Sequence, residues 1–345
     1  MGFVLAVAVL VAATHGGVGT VGSTTGERCD APQRGALEMS GDVGDFRRGV
    51  IDDPVHDPTL FRGGDTFYVF STGRLDAADP GGIFARRSTC SLAGPWESLG
   101  AIDLPEWTRD YGVEHLWAPH VVDVDGTFHL YYAASSFGSN RSAIGLATTT
   151  TPGDLASWVD HGAILTSQPG DDFNAIDPMV FTDGERWYIA YGSFWSGIQL
   201  QPLADDLRTP EPPRTVVARH AEPRPNAIEN PQVFRHGEHW YLTVSWDFCC
   251  RGVGSTYRVM VGRADAPTGP FVDADGVAMT DGGATPLLAR RGNQVGPGAL
   301  DVLEHDGRLY AAHHYYDATA GGTIRMQIRE VEWRDGWPYF SDDAA

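Results

Sequence analysis

Lysine is absent from this sequence of 345 residues, in which all 25 basic residues are arginine. A Walker-type phosphate loop, a Schiff-base site and a pyridoxal site each require a lysine amine, so the sequence excludes all three. Acidic residues outnumber basic ones, and the formal net charge is −20. Nucleic acids and anionic membranes bind basic surfaces, so we expect neither as a partner. We expect a monomer that this charge keeps soluble.

A hydrophobic run long enough to cross a bilayer is also absent. The longest apolar run, residues 3–13, has 11 residues, whereas a spanning helix needs about 20. Its length matches the core of a secretory signal peptide, although the usual preceding positive charge is missing. We predict a secreted protein with a signal peptide and leader over 1–26, an N-terminal arm over 27–51, one folded domain over 52–340 and a tail over 341–345. A disordered N-terminal tail is the alternative.

Cysteine is scarce, with four residues. An even number in an oxidising compartment suggests disulfides, and we predict that Cys29 pairs with Cys90 because both lie early in the chain. Cys249 and Cys250 are adjacent, and a bridge between neighbours is strained, so two buried thiols are at least as plausible there. The chain has no Cys-x-x-Cys spacing, which argues against a cysteine metal site.

A unit of sequence recurs five times along the chain. In its clearest copy, Asp177 and Pro178 precede the apolar run Met179–Phe181, an Asp-Gly turn and a second apolar run, Trp187–Tyr191. The two runs predict antiparallel strands joined by a hairpin turn, and a proline, which cannot donate a backbone hydrogen bond, belongs at a strand start. The residue before a proline favours extended backbone, so we expect Asp177 to be extended at the mouth of its strand.

The spacing of this unit predicts the fold. Its proline recurs every 53 to 66 residues, at Pro58, Pro119, Pro178, Pro231 and Pro297. A recurring period marks a repeat architecture, and strand-rich repeats of about this size are typical of propeller blades. We therefore predict an all-β, five-bladed β-propeller with four-stranded antiparallel blades, in which the first strand of each blade lines a central channel.

Three acidic residues stand at these strand starts: Asp57, Asp177 and Glu229. We expect them to converge at one mouth of the channel. A single such aspartate can simply cap a turn, but a fold has no structural need for three like charges that repel one another. Glycoside hydrolysis can use three, because one acid protonates the leaving oxygen, one activates water and a third raises the pKa of the first. A metal site is the competing use, although it would want more oxygen ligands.

Several loops near the predicted channel mix aromatic rings with small polar groups. Sugars bind such mixtures, because a ring stacks on the apolar sugar face while polar groups meet the hydroxyls. Ordinary blade turns are the alternative. The candidate substrate-binding residues of this kind are Trp117, His120, Ser136, Phe137, Ser193, Phe194 and Trp195.

Motifs over about residues 50 to 340 resemble glycoside hydrolase family 43, and within it the endo-1,5-α-L-arabinanases. They occur in the family's order, and it is their combination that is specific. The matching runs include His56–Pro58, Leu116–His120, Asn174–Pro178, Tyr191–Trp195, Ala227–Pro231, Phe248–Gly252 and His314–Asp317. The resemblance implies a five-bladed propeller and an inverting enzyme that cleaves α-1,5-L-arabinofuranosyl linkages inside arabinan, a side chain of pectin. No cofactor is implied for the chemistry.

The resemblance also implies roles for individual residues. Asp57 matches the general base, Glu229 the general acid, and Asp177 the residue that tunes the pKa of the acid and orients it. The run from Asn174 through Ala175 and Ile176 matches a segment that contacts substrate, as does the run 193–195.

Two positions depart from the family pattern. Many arabinanases carry Gly-Pro-Gly-His in the fifth repeat, where the histidine faces a central calcium, but this chain has Ala299 there. We therefore expect a structural calcium to be held weakly or by other groups, with His120 or His314 as substitutes. Asn230 stands where the acid motif usually has alanine or glycine, and it adds a polar group next to Glu229.

Three functions remain open from the sequence. Besides an endo-arabinanase, the same family contains exo-acting α-L-arabinofuranosidases and β-xylosidases, which differ in the shape of the cleft. A non-catalytic sugar-binding propeller belongs to a different class, but binding alone would not need all three acids.

Overall fold

The computed structural model describes residues 54–74, 81–222 and 224–341. The predicted signal peptide and N-terminal arm lie outside these residues, and so does Cys29, so its predicted pairing with Cys90 is not tested. The described residues contain 21 β-strands, five short 3₁₀-helices and no α-helix. None of these helices is both long and apolar enough to cross a membrane.

The described strands form five successive antiparallel blades. The first blade contains β1 (Thr59–Gly63), β2 (Thr66–Ser71), β3 (Ile83–Ser88) and β4 (Glu97–Ile102). The second contains β5 (Trp117–Val124), β6 (Thr127–Ala134), β7 (Ser142–Thr149) and β8 (Val159–Ser167). The third contains β9 (Met179–Thr182), β10 (Trp187–Tyr191), β11 (Ile198–Leu203) and β12 (Thr215–Ala218).

The last two blades differ in strand number. The fourth contains β13 (Ile228–His236), β14 (His239–Trp246), β15 (Arg258–Ala264) and β16 (Thr285–Leu288). The fifth contains three hydrogen-bonded strands, β17 (Gln294–His305), β18 (Arg308–Asp317) and β19 (Thr323–Glu330), and is followed by the hairpin of β20 (Glu332–Arg334) and β21 (Trp337–Tyr339). The 3₁₀-helices lie in connections, at Glu106–Tyr111, Leu155–Ser157, Gly252–Gly254, Met279–Asp281 and Ala318–Ala320.

The first strands of the blades close into a ring. Strand β1 contacts β5, β5 contacts β9, β9 contacts β13, β13 contacts β17, and β17 contacts β1. Each of these strands lies at one edge of its own sheet. This arrangement confirms the predicted five-bladed propeller with a central channel.

The hydrophobic core is divided among the five blade interfaces. Each neighbouring pair of blades shares one cluster of buried apolar side chains. In β2, for example, Phe67 and Val69 pack towards the fifth blade, whereas Tyr68 and Phe70 pack towards the second. Because successive strand residues point to opposite faces and both faces are buried, the strands are continuous apolar runs rather than alternating ones.

Each inner strand carries a left-handed residue at the same place. The φ angles are 50° at Asp57, 41° at Ala118, 57° at Asp177, 54° at Asn230 and 51° at Ala299. The expectation of extended backbone before the proline was therefore wrong at Asp177. In the fifth blade the residue equivalent to Asp177 is Ala299, which does not precede a proline. The strand registers shift at this point in the second, fourth and fifth blades, as at a β-bulge, which re-aims side chains.

Candidate active site

The three predicted acids lie together at the inner strand starts. Asp57 and Asp177 precede β1 and β9, and Glu229 is the second residue of β13. Asn230 links the group, because its backbone N–H donates to Asp177 Oδ2 at 3.1 Å and its side-chain amide lies 3.5 Å from Asp57 Oδ1. The charges of Glu229 and Asp57 both act on the pKa of Asp177, so the carboxyls are close enough to interact.

Asp57 is held as a carboxylate by neighbours from the first and fifth blades. His56 Nδ1 donates to Asp57 Oδ2 at 2.7 Å, and Thr72 Oγ1 donates to the same oxygen at 2.6 Å. Burial alone would raise the pKa of Asp57, but the charge and the hydrogen bond of His56 lower it below its usual range. Burial likewise opposes a charged His56, yet Asp57 and Tyr316 raise its pKa to about 10. These neighbours therefore favour the ionised form of Asp57.

Glu229 has an environment of the opposite kind. Burial raises its pKa, and the charge of Asp57 adds to that effect. Two hydroxyls work against it: Ser193 Oγ donates to Oε2 and Tyr257 donates to Oε1, both at 2.6 Å. Burial and the nearby carboxylates raise the pKa of Tyr257 well above its usual value, so its hydroxyl stays a donor. Glu229 is thus suited to hold a proton that Asp57 cannot hold.

Asp177 is the third carboxyl and is also buried. Burial raises its pKa well above the usual value, and repulsion from Glu229 and then from Asp57 adds to the rise. Repulsion between two carboxylates is mutual, so a charge on Asp177 also favours the protonated form of Glu229. Asp177 and Glu229 therefore form a coupled pair in which at least one carboxyl keeps its proton.

The candidate substrate residues fall into exposed and buried sets. Phe137 is 84% exposed and Trp195 is 39% exposed, so both rings are open to a ligand. The loop that contains Trp195 is joined to β13, the strand that contains Glu229. Phe194 N in this loop donates a hydrogen bond to the carbonyl of Ile228 at 2.9 Å. Trp117 and Ser136 are half-buried.

The segment that leads into Asp177 has buried side chains. Asn174 accepts a hydrogen bond from Ser142 Oγ at 2.6 Å, and Ala175 and Ile176 are also buried. This arrangement fixes the backbone that presents Asp177. Direct contact of Asn174, Ala175 and Ile176 with substrate stays a prediction.

His120 lies inside the channel, in a polar cluster around Asp301 that sequence reasoning missed. Asp301 accepts hydrogen bonds from the Leu60 backbone at 2.6 Å, from Thr59 at 3.0 Å and from Gln232 at 2.7 Å. His120 Nε2 donates to the carbonyl of Val180 at 2.9 Å, and its Nδ1 is 4.0 Å from Asp301. The cluster joins all five blades. Each side chain of the cluster stands two residues after a residue with left-handed backbone. This constant spacing is the sequence signal that could have identified the cluster.

The fourth-blade loop after β14 also reaches the partners of Asp57. Cys249 and Cys250 form a disulfide, so the alternative of two buried thiols was wrong, and Cys250 is exposed rather than buried. The backbone N–H of Cys250 donates to the Tyr316 hydroxyl at 2.7 Å, and that oxygen is 2.9 Å from His56 Nε2. His314 stacks on the His56 ring at 3.8 Å and accepts a hydrogen bond from Asp57 N. Sequence reasoning missed Tyr316 as a partner of the site.

The side chains present do not fit a directly bound calcium ion. Calcium takes six to eight oxygen ligands, whereas the described donor groups near the base are His56–Asp57–His314 and His56 with the two bonded cysteines. These groups supply one carboxylate, and it is already paired with His56. Ala299 is buried and offers only a methyl group, while its N–H donates to Ser245. Burial lowers the pKa of His314 well below its usual value, so His314 is neutral.

The site thus combines Asp57, whose neighbours favour the ionised form, with Asp177 and Glu229, whose burial favours a protonated form, and the exposed ring of Trp195 lies on a loop bonded to the strand of Glu229. Two carboxyls with pKa values pushed apart can hydrolyse a glycosidic bond by acid and base catalysis. This combination is typical of a glycoside hydrolase.

Comparison with known proteins identifies the family. The family described as Glycosyl hydrolases family 43 matches residues 46–338, and this chain belongs to it. The chain is 38% identical over 300 residues to the probable arabinan endo-1,5-α-L-arabinosidase A of Aspergillus flavus, covering 82% of this chain and 90% of that protein. It is 35% identical over 311 residues to the extracellular exo-α-(1→5)-L-arabinofuranosidase of Cellvibrio japonicus, covering 84% and 87%.

A solved structure supports the same assignment. The family 43 endo-arabinanase from Bacillus licheniformis is 35% identical to this chain and superimposes with a TM-score of 0.77, covering 84% of this chain and 98% of that one. The family resemblance noted in the sequence is therefore confirmed.

Proposed function

We propose that this chain is a secreted, monomeric, inverting endo-arabinanase that cleaves α-1,5-linked L-arabinofuranosyl chains. The observation that carries the proposal is the opposite environment of Asp57 and Glu229 within one site. The substrate is supported by the relatives, whose names specify arabinan or α-1,5-linked arabinose. Secretion is supported by the extracellular relative from Cellvibrio and by the N-terminal apolar run.

The reaction follows from the two carboxyls. Asp57 accepts a proton from a water molecule, whose oxygen attacks the anomeric carbon from the face opposite the leaving group. Glu229 donates its proton to the glycosidic oxygen as that bond breaks, and Ser193 and Tyr257 then stabilise the carboxylate that remains. An inverting enzyme must fit the water beside its base, so the two carboxyls should be roughly 6.5–9.5 Å apart.

Two single variants separate the two roles. Glu229→Ala should impair hydrolysis of arabinan far more than hydrolysis of an aryl arabinoside with a good leaving group, because a good leaving group needs little protonation. Asp57→Ala should impair both substrates about equally, because water still has to be activated. A Glu229→Ala enzyme that is equally impaired on both would contradict the acid assignment. A product with retained anomeric configuration in early proton NMR spectra would refute the inverting mechanism.

Exo action is the second candidate, because one extracellular relative at 35% identity is named as an exo-acting enzyme. Products of linear arabinan distinguish the candidates. A ladder of oligomers supports endo action, whereas arabinose or one short product from the start supports exo action. Release of xylose from xylosides would indicate a β-xylosidase, and no hydrolysis of any of these substrates would leave only sugar binding.

A further inference from the structure

The disulfide between Cys249 and Cys250 has no role in the mechanism above, yet it lies against the base. It belongs to the loop that joins β14 to β15. Cys250 Sγ is 3.9 Å from His56 Nε2. The loop comes from the fourth blade, whereas Tyr316 lies in the fifth blade and Asp57 precedes the first. The disulfide of the fourth blade thus contacts His56, which pairs with Asp57, the proposed base at the start of the first blade.

A continuous chain of hydrogen bonds joins this loop to the base carboxylate. Cys250 N donates to the Tyr316 oxygen at 2.7 Å, His56 Nε2 is 2.9 Å from the same oxygen, and His56 Nδ1 is 2.7 Å from Asp57 Oδ2. A charged imidazole donates from both nitrogens. The Tyr316 oxygen then accepts from two donors, which fills its two lone pairs and fixes the far end of the His56 ring.

Cys250 has an unfavourable backbone conformation. Its φ is 63°, in the left-handed region that is unfavourable for a residue with a Cβ. The bond to the neighbouring sulfur restrains the residue there. Without that bond Cys250 can relax to a negative φ, which turns its N–H away from Tyr316. The sulfur would also leave the edge of His56, and water would enter and weaken the bond between His56 and Asp57.

We propose that the Cys249–Cys250 disulfide is a positioning element for the catalytic base. It holds the Cys250 N–H on Tyr316 and shields His56, and through these two side chains it fixes the orientation of the Asp57 carboxylate. Cys249, Cys250 and Tyr316 act through His56 and do not touch the reacting atoms. This inference rests on the proposed function only where it assigns the role of base to Asp57.

Several titratable groups surround His56. Asp57 and Tyr316 favour its charged form, while His314 stacks on it as a neutral ring. The charge of His56 in turn acts on Asp177, Glu229 and His115. Tyr316 accepts the hydrogen bond of Cys250 N, and Cys250 Sγ itself lies 3.9 Å from His56 Nε2, so a change in the disulfide should reach His56 both through Tyr316 and directly.

The first test measures His56 directly and does not depend on activity. Histidine nitrogen NMR of the oxidised protein should show His56 titrating near pH 10, with its signal assigned by the His56→Gln variant. A dithiol then transfers two electrons to the sulfur–sulfur bond. The reductant becomes a cyclic disulfide, and its two protons pass to the Cys249 and Cys250 sulfurs. We expect the midpoint of His56 to fall by about one pH unit, as loss of part of one ion-pair interaction predicts.

The second test measures turnover of arabinan. Reduction should lower kcat about tenfold, the order of one hydrogen bond to a charged group, and leave KM unchanged. The double variant Cys249→Ser/Cys250→Ser should match the reduced enzyme. It should not respond further to the dithiol, although it keeps Cys29 and Cys90. Tyr316→Phe keeps the disulfide against His56 but removes the hydroxyl link, so its kcat should be low and should fall by a smaller factor on reduction than that of the unaltered enzyme.

Three results would overturn the inference. They are an unchanged His56 titration after reduction, an effect confined to KM, and a Tyr316→Phe enzyme that loses as large a factor in turnover on reduction as the unaltered enzyme does. An oxidised enzyme that fails to hydrolyse arabinan would instead refute the proposed function. The titration of His56 would still decide the positioning role in that case.

Discussion

Removal of the Tyr257 hydroxyl should make Glu229 a weaker acid. The hydroxyl donates to Glu229 Oε1 at 2.6 Å, and this bond favours the ionised carboxyl. Tyr257→Phe removes that donor while it keeps the ring, which is buried and faces His314. Burial and the Asp57 charge still favour the protonated form of Glu229, whereas one of the two hydrogen bonds that favour its ionised form is lost. The pKa of Glu229 should therefore rise.

The size of the shift follows from one charged hydrogen bond. Such a bond contributes about 1.5–3 kcal/mol, of which part returns if water replaces the hydroxyl. One pKa unit corresponds to about 1.4 kcal/mol, so the pKa of Glu229 should rise by about one to two units. A general acid is active while it is protonated. The alkaline limb of the profile of kcat/KM against pH should move to higher pH by the same amount.

The assay is the pH dependence of kcat/KM on linear arabinan, with two matched variants. Ser193→Ala removes the other donor to Glu229 and should shift the alkaline limb in the same direction. Asp177→Asn removes a repelling charge and should shift it to lower pH. An alkaline limb that stays in place or moves down in Tyr257→Phe would refute the assignment of Glu229 as the acid whose pKa these groups set.

The remaining predictions concern the channel, the metal, Asn230 and the cysteines. Asp301→Ala should lower the free energy of unfolding by about 3 kcal/mol, because it leaves buried donors unpaired. The matched Asp301→Asn should lower it less, and urea denaturation of both variants measures the difference. Chelator treatment should leave most activity, and a large loss restored by calcium alone would contradict this. Asn230→Gly keeps the left-handed backbone but removes the amide near Asp57, so kcat should fall a few-fold without loss of stability, as measured by initial rates and thermal unfolding. Mass spectrometry of unreduced peptides should find Cys29 joined to Cys90, and free thiols at both would refute the pairing.

The propeller could be predicted because its determinants are local and repeated. Strand pairs such as Met179–Thr182 and Trp187–Tyr191 are visible as two apolar runs around an Asp-Gly turn. The recurrence of that unit then fixed the number of blades. The fifth blade was located less well, since the proline at 297 is two residues before the matching left-handed Ala299.

The partners of the catalytic carboxyls could not be predicted in the same way. Tyr257 and Tyr316 come from strands and loops far along the chain, and nothing in their local sequence indicates which acid they meet. Asp301 was missed for a related reason. It stands two residues beyond the left-handed position, where the acids were not sought, and its importance appears only when the ring closes around it.

The asymmetry of the site arises from small differences at one repeated position. The left-handed residue at the inner strand start is aspartate in the first and third blades, asparagine in the fourth and alanine in the second and fifth. Aspartate and asparagine tolerate this backbone better than most residues, so polar groups there suit the fold as well as the chemistry. Glu229, the proposed acid, instead stands one residue earlier, before the bulge of its strand.

This displacement gives the two catalytic carboxyls different neighbours. Asp57 meets His56 and Thr72 of the first blade and His314 of the fifth, which supply a positive charge and hydrogen bonds. Among the described residues, the Glu229 carboxyl accepts hydrogen bonds from the neutral hydroxyls of Ser193 and Tyr257, which belong to the third and fourth blades. Burial is common to both carboxyls, so it cannot separate them. The imidazolium beside Asp57, with no counterpart bonded to Glu229 among the described residues, is what favours the proposed roles of Asp57 as the base and of Glu229 as the acid.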